Sequence, residues 1–270
     1  MTALGMCTAT LLREPLGDAS NDDLRATVDA AVAAGCRDLS IWAHHLESIG
    51  DVRTSGARLA ALEAATAWAG GDRDAAAAEA QHLATLAAEH GAATIAAVTL
   101  DPTVDDLDRA RDHLALLVAG AEEAGATVCV EFLPWSGIPT LAVAWDLVEP
   151  LGPRAGILLD TWHWQRQPGG PCPDLLGTIP GDRIHYVQLC DAAAAPSGDS
   201  FEEAMTARLL PGDGVVDFGD VLAVLDRIGA QPYVATEIFN TALVADLGSA
   251  GAARAMAAAA RSLDARFPSG

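Results

Sequence analysis

Lysine does not occur in this chain of 270 residues: all sixteen basic side chains are arginine, against 37 acidic ones, for a formal charge of −21. A Schiff-base aldolase, a pyridoxal-phosphate enzyme and a Walker-type nucleotide binder each need a lysine nitrogen in a fixed role, so all three are excluded. Cationic side chains are too few for the basic stripe that meets a nucleic acid, and no nucleic-acid partner is expected. No apolar run reaches the roughly 18–20 residues that cross a bilayer, so no membrane partner is expected either. The five cysteines (Cys7, Cys36, Cys129, Cys172, Cys190) form no CxxC pair and are odd in number. They read as reduced, mostly buried thiols of a cytoplasmic protein. The opening MTALGMCTATLLREP lacks a positive flank and meets Arg13 and Glu14 too early for a secretory leader. No GxSxG elbow, HExxH helix or P-loop occurs.

What is present is one phrase, repeated. An alanine-rich helical run, a glycine, a short apolar run and a polar end recur in AAVAAGCRDLSIW, LAAEHGAATIAAVTL, AEEAGATVCVEF, LGPRAGILLDTW and LDRIGAQPYVATEIF. Gly35, Gly91, Gly125 and Gly229 stand where a helix C-cap needs a left-handed backbone. The apolar runs suit strands buried on both faces, and helix-then-strand repetition builds a parallel sheet. Strands are expected at 4–10, 37–42, 61–67, 94–99, 127–131, 156–160, 184–189 and 233–238. Helices are expected near 21–34, 54–60, 73–90, 104–124, 140–151, 172–180, 217–228 and 242–266. Eight such units predict an α/β fold, a closed (β/α)8 TIM barrel forming a single domain over 1–270. An open doubly wound sheet is the competing architecture, but no GxGxxG follows the first strand.

Barrel chemistry collects at the C-terminal ends of strands. Here four expected strands carry an oxygen ligand at that end: Glu131, Asp160, Gln188 and Glu237. Counting back in twos puts Glu131, Cys129 and Thr127 on one face, Glu237, Ala235 and Tyr233 on another, and Asp160 with Leu158, so each ligand can point into the mouth. Three converging carboxylates repel unless a cation lies between them, and an all-oxygen set is hard, favouring Mn²⁺ or Mg²⁺ over zinc. The site charge would be −3 + 2 = −1. His163, three residues after Asp160, is placed as an acid/base partner. Arg208, before the Pro211-Gly212-Asp213-Gly214 turn, can fork onto substrate oxygens. His44 or His45 could line the mouth after the second strand, and Trp42, Trp135, Trp162 and Trp164 could stack on sugar C–H faces or simply anchor packing. His82, His90 and His113 are expected to be solvated on helices.

The segments VEFLPW (130–135), LLDTWHW (158–164), VQLCDA (187–192), RLLPGDG (208–214) and VATEIF (234–239) resemble the xylose-isomerase-like barrels, the sugar isomerases and epimerases related to inosose dehydratases and endonuclease IV. The resemblance implies one divalent metal, Co²⁺ also being admissible, on Glu131, Asp160, Gln188 and Glu237, with His163 and Arg208 beside it. It implies isomerisation or epimerisation of a sugar or sugar-like keto-polyol through a metal-stabilised enediolate, with Glu131 and Glu237 exchanging the proton. Many sugar epimerases carry histidine where Gln188 stands. Glutamine there is similar to some inosose and dehydroshikimate dehydratases, so a lyase acting on a cyclic keto-polyol stays open. The expected partner is a small polyol or keto-sugar, with homo-oligomerisation left open.

Overall fold

Each apolar run becomes a strand because both its faces meet other chain, the lumen inside and helices outside. The structure, a computed structural model, describes residues 3–104 and 106–263. The strands are β1 (Leu4–Cys7), β2 (Asp38–Trp42), β3 (Arg58–Ala65), β4 (Thr94–Ala97), β5 (Thr127–Glu131), β6 (Ala155–Asp160), β7 (Ile184–Leu189) and β8 (Tyr233–Thr236). They pair in chain order, all parallel, and β8 pairs with β1 to close the barrel. The competing open sheet is therefore excluded.

The helices are α1 (Asn21–Ala33), α2 (Ala43–Ile49), α3 (Arg73–His90), α4 (Leu107–Glu123), α5 (Leu141–Val148), α6 (Thr161–Arg166), α7 (Pro173–Leu176), α8 (Ser200–Thr206), α9 (Phe218–Arg227) and α10 (Thr241–Leu263). Part of the acidic surplus starts them. Ser20 and Asp23 form a capping box on α1, and Asp72, Asp106, Asp199 and Asp217 accept backbone N–H groups at the starts of α3, α4, α8 and α9. The four glycines expected after helices have φ of +81°, +75°, +80° and +70°. Inside the barrel, Ala61, Ala96, Cys129, Leu158, Tyr186 and Ala235 pack as one buried layer with Tyr233 against it. The alternation read from sequence therefore holds, and the candidate site side chains stand one step above this layer.

Several expectations need correction. Residues 54–60 do not form a helix. Val52–Ser55 makes one 3₁₀ turn, and β3 starts at Arg58 because pairing with β2 recruits it: its N–H donates to Arg37 O at 2.7 Å and its guanidinium meets Asp38 at 2.6 Å. The helix of that unit is α2, directly after β2. β1 stops at Cys7, where Thr8–Leu11 turns into a 3₁₀ helix, and α7 is far shorter than 172–180. α6 and α8 were not foreseen, and positions 264–266 of the last expected helix lie outside the described residues. His113 is buried rather than solvated, since it shares the inner stripe of α4 with Ala110, Leu114 and Leu117.

His45, on α2, is 4% exposed and stacks on Trp42 at 5.2 Å between ring centroids. Burial, then the neighbouring His44, lowers its pKa from 6.5 to about 4. The folded state holds it neutral, so its contribution is complete above the unfolded value and is lost as pH falls from 6.5 towards 4. We expect the urea midpoint of His45→Phe to drop less than that of the wild type between neutral and mildly acidic pH. Equal drops would show that His45 does not set this dependence.

Candidate active site

The ends of β5 to β8 deliver the four expected ligands to one mouth. Glu131 ends β5 with its side chain 12% exposed, Asp160 ends β6 and is fully buried, Gln188 lies on β7, and Glu237 directly follows β8. Above them opens a cavity of about 420 Å³. Glu131, Glu237, His163 and Arg208 reach it, together with Glu63 of β3, and its walls include Trp42, His44, Trp135, Phe201 and Phe239. Asp160 and Gln188 lie below this lining.

Arg208 organises the lumen. Its Nη1 donates to Asp160 Oδ2 at 2.7 Å and to Glu237 Oε2 at 3.1 Å, Nε donates to Ala204 O at 2.7 Å, and Nη2 lies 3.3 Å from His163 Nε2. Its backbone is fixed as well. The Asn240 amide donates to Arg208 O, and the adjacent Leu209 exchanges two backbone bonds of 2.9 Å with Asp191. Asp191 in turn accepts the N–H groups of Ala192, Gly212, Gly214 and Val216, so one buried carboxylate pins the PGDG turn. Gly214 is obligatory there: a Cβ would sit 2.2 Å from Ala192 O. The expected substrate fork is thus also the internal counter-charge of two carboxylates.

Burial acts on every acid here. It pushes Glu131 well up, aided by the Asp160 charge, and pushes Glu237 well up, aided by Glu63. Glu63 also rises through burial, opposed by the hydroxyls of Ser40 and Tyr186. Burial would raise Asp160 too, but Arg208, His163 and the His163 N–H hold it below the usual carboxylate value. Arg208 is raised: its burial is outweighed by Asp160 and the other anionic neighbours.

The Asp-x-x-His spacing has a local cause. Asp160 is the N-cap of α6 and accepts the His163 N–H at 2.8 Å, which turns the imidazole back beside the strand end. His163 Nε2 lies 3.3 Å from Glu131 Oε1. Burial lowers the His163 pKa from 6.5 to about 3, with Arg208 adding to the effect against the pull of Asp160. The ring is therefore neutral near pH 7. It is placed as expected, but as a hydrogen-bonding group rather than a stored imidazolium.

Two observations fit this donor set to a divalent cation. Gln188 Nε2 donates to Glu63 and Glu237, leaving its buried Oε1 with no partner. Further, four carboxyl groups (Glu63, Glu131, Asp160, Glu237) share the lumen with one guanidinium, which pairs with Asp160 and Glu237, so full ionisation would leave −4 + 1 = −3 there. The quartet is not yet gathered round a point. Among the described residues the tight groups, with candidate atoms within 4.8 Å, are Glu131, Asp160 and His163, and separately Cys7, Glu63 and Glu237. Arg208 stands between them.

Other expected residues divide. His44, Trp42 and Trp135 line the cavity. Trp162 does not: it is fully buried, its indole N–H donates to Glu203, and it packs behind Trp135 at 6.2 Å. Trp164 is buried as well. Glu63 and its partners Ser40, Tyr186 and Cys7 were not anticipated. The available signal was a single charge inside the apolar run LAALEAA.

A family model described as the xylose isomerase-like TIM barrel matches residues 6–265. The 3-dehydroshikimate dehydratase of Pseudomonas putida is 33% identical over 131 residues, 48% of this chain and 20% of that protein. An inosose isomerase of Bacillus velezensis is 28% identical over 123 residues, 44% of this chain and 42% of that protein. The chain thus spans less than half the length of these relatives. In fold it is similar to the IOLI protein, whose crystal structure holds a zinc atom, with a TM-score of 0.84 at 20% identity and full coverage of both chains.

Removing the guanidinium should expose the cost of the buried acids. Arg208→Met, measured in chelator, is expected to lose about 3–5 kcal/mol of unfolding free energy, as for a buried pair stripped of one partner. A loss below about 1 kcal/mol, the range of an exposed pair, would show that Arg208 does not balance the lumen charge.

Proposed function

From the chain's membership of the xylose isomerase-like TIM barrel family, we propose that it is a divalent-metal-dependent isomerase or epimerase of a sugar or sugar-like keto-polyol. Two buried carboxyls (Asp160 and Glu237), the largely buried Glu131 and an unpartnered amide oxygen at one barrel mouth carry the reading. Glu131, Asp160, Gln188 and Glu237 would hold the ion, and their hard oxygen set suits Mn²⁺ or Mg²⁺, with Co²⁺ admissible. Bound there, it would polarise a substrate carbonyl and offset the negative charge that develops as the α-proton leaves.

The remaining steps belong to the chain. Glu131 and Glu237 reach the cavity from strands three places apart, so one can remove the α-proton and the other return it to the opposite face. Return to the same carbon gives epimerisation, and return to the neighbouring carbon gives aldose–ketose isomerisation. Neutral His163 orients a hydroxyl by hydrogen bonding, while Arg208 directs N–H groups at substrate oxygen. Trp42 and Trp135 offer ring faces to C–H groups. Arg208 is the only Lys or Arg on the cavity wall among the described residues, which suits an uncharged polyol better than a phosphorylated one.

Likeness to a dehydratase supports a second reading, loss of a β-hydroxyl from a cyclic keto-polyol. It shares the first step and differs in its product. Incubation in deuterated water separates the two. Isomerase or epimerase action should exchange the α-hydrogen with the carbon skeleton and oxygen content intact, whereas dehydration should yield an enone absorbance and lose water. Absence of both outcomes across ketohexoses and inososes, with metal supplied, would overturn the proposal. Glu131→Gln and Glu237→Gln should each lower turnover by about 10²-fold or more, as loss of a proton-transfer group does. Full activity and metal content in both variants would overturn the site assignment. His163→Ala should slow turnover with the metal retained.

A further inference from the structure

Glu63 is a carboxylate that the proposed reaction does not use. It points into the lumen from β3, is 5% exposed, and pairs with no arginine among the described residues. Its hydrogen-bond partners are all donors. Ser40 Oγ and Tyr186 Oη (3.2 Å) donate to Oε1, the Cys7 thiol donates to Oε2 at 3.7 Å, and Gln188 Nε2 donates to Oε1 at 3.1 Å. The supporting side chains come from β1, β2 and β7. The acceptor is therefore held from three directions.

Its position matters because glutamine, unlike aspartate or glutamate, has two chemically different ends. Only Oε1 can serve a cation, while Nε2 can only donate. Both Nε2 hydrogens of Gln188 meet carboxylate oxygens, those of Glu63 at 3.1 Å and Glu237 at 2.8 Å. Flipping the amide would replace two hydrogen bonds by two oxygen–oxygen contacts in a buried setting. Glu237 is itself an expected ligand, so its oxygens are drawn upon when an ion binds. Glu63 is the partner that stays.

We propose that Glu63 is a positioning residue: its carboxylate accepts the Gln188 amide hydrogen and thereby presents Gln188 Oε1 to the ion. This rests on the metal-dependent reading above. An outer partner that orients a ligand in this way typically affects metal affinity 10–100-fold.

The test is Mn²⁺ binding, followed by calorimetry and by the electron paramagnetic resonance signal of free Mn²⁺. Glu63→Met removes the acceptor and should weaken binding about 10–100-fold with folding intact by circular dichroism. Glu63→Gln keeps an acceptor where three donors converge, its amide nitrogen turning to the weakly accepting Cys7 sulfur, and should stay within about threefold of wild type, well below that loss. Unchanged binding in Glu63→Met overturns the proposal. So does equal loss in both variants, which would assign the effect to charge alone. If Glu63→Met does not fold, Glu63→Ser takes its place: its hydroxyl leaves the surrounding donors an acceptor but is too short to meet the Gln188 amide, so binding should weaken about 10–100-fold, and unchanged binding overturns the positioning role. Wild-type protein that binds no Mn²⁺ overturns the metal reading together with this one, whereas binding that ignores Glu63 overturns this one alone.

Discussion

Burial of several carboxyl groups around a single guanidinium is the constraint from which the rest of this barrel follows. A low-dielectric lumen penalises each unpaired charge, and the chain answers with one arginine, a set of hydroxyl and thiol donors, and raised proton affinities. The arrangement is stable enough to fold yet electrically unfinished. Gln188 shows this most directly, with a buried acceptor that no donor in the described protein satisfies. The cation binding proposed above would thus draw on the same residues that otherwise weaken the core.

The layer below makes this possible. Ala61, Ala96, Cys129 and Ala235 are small, so the lumen can admit the long side chains of Glu63 and Gln188 above them and the phenol of Tyr186 beside them. Larger aliphatic residues there would fill the same volume and leave the acids no depth in which to converge. The alanine that gives the sequence its monotony in helices serves a separate purpose on the strands.

Legibility in the sequence followed the reach of local rules. Glu131 and Asp160 end, and Gln188 stands one residue before the end of, runs apolar enough to be strands in isolation, so alternation alone aims them inward. The glycine caps and the parallel repeat likewise depend on neighbours a few residues away. β3 is different: its start is decided by Asp38 and Arg37 on another strand, and Glu63, although inside the expected strand 61–67, did not stand at that strand's expected C-terminal end and so carried no mark of a site residue. Trp162 and His113 failed for a related reason. Whether an indole faces a cavity or packs behind one, and whether an imidazole joins a buried stripe, depends on the partner surface and not on the residue.

The Asp191 anchorage has a mechanical corollary. Four backbone groups converge on its carboxylate, the next strand-like segment is stitched to it, and Glu203 clasps Arg166, the Trp162 indole and the Ser197 N–H nearby. That half of the rim behaves as masonry. Away from this clasp the cavity is edged by Leu16 and Leu100, which stand in solvent at 64% and 57% exposure and give the rest of the rim an apolar lip.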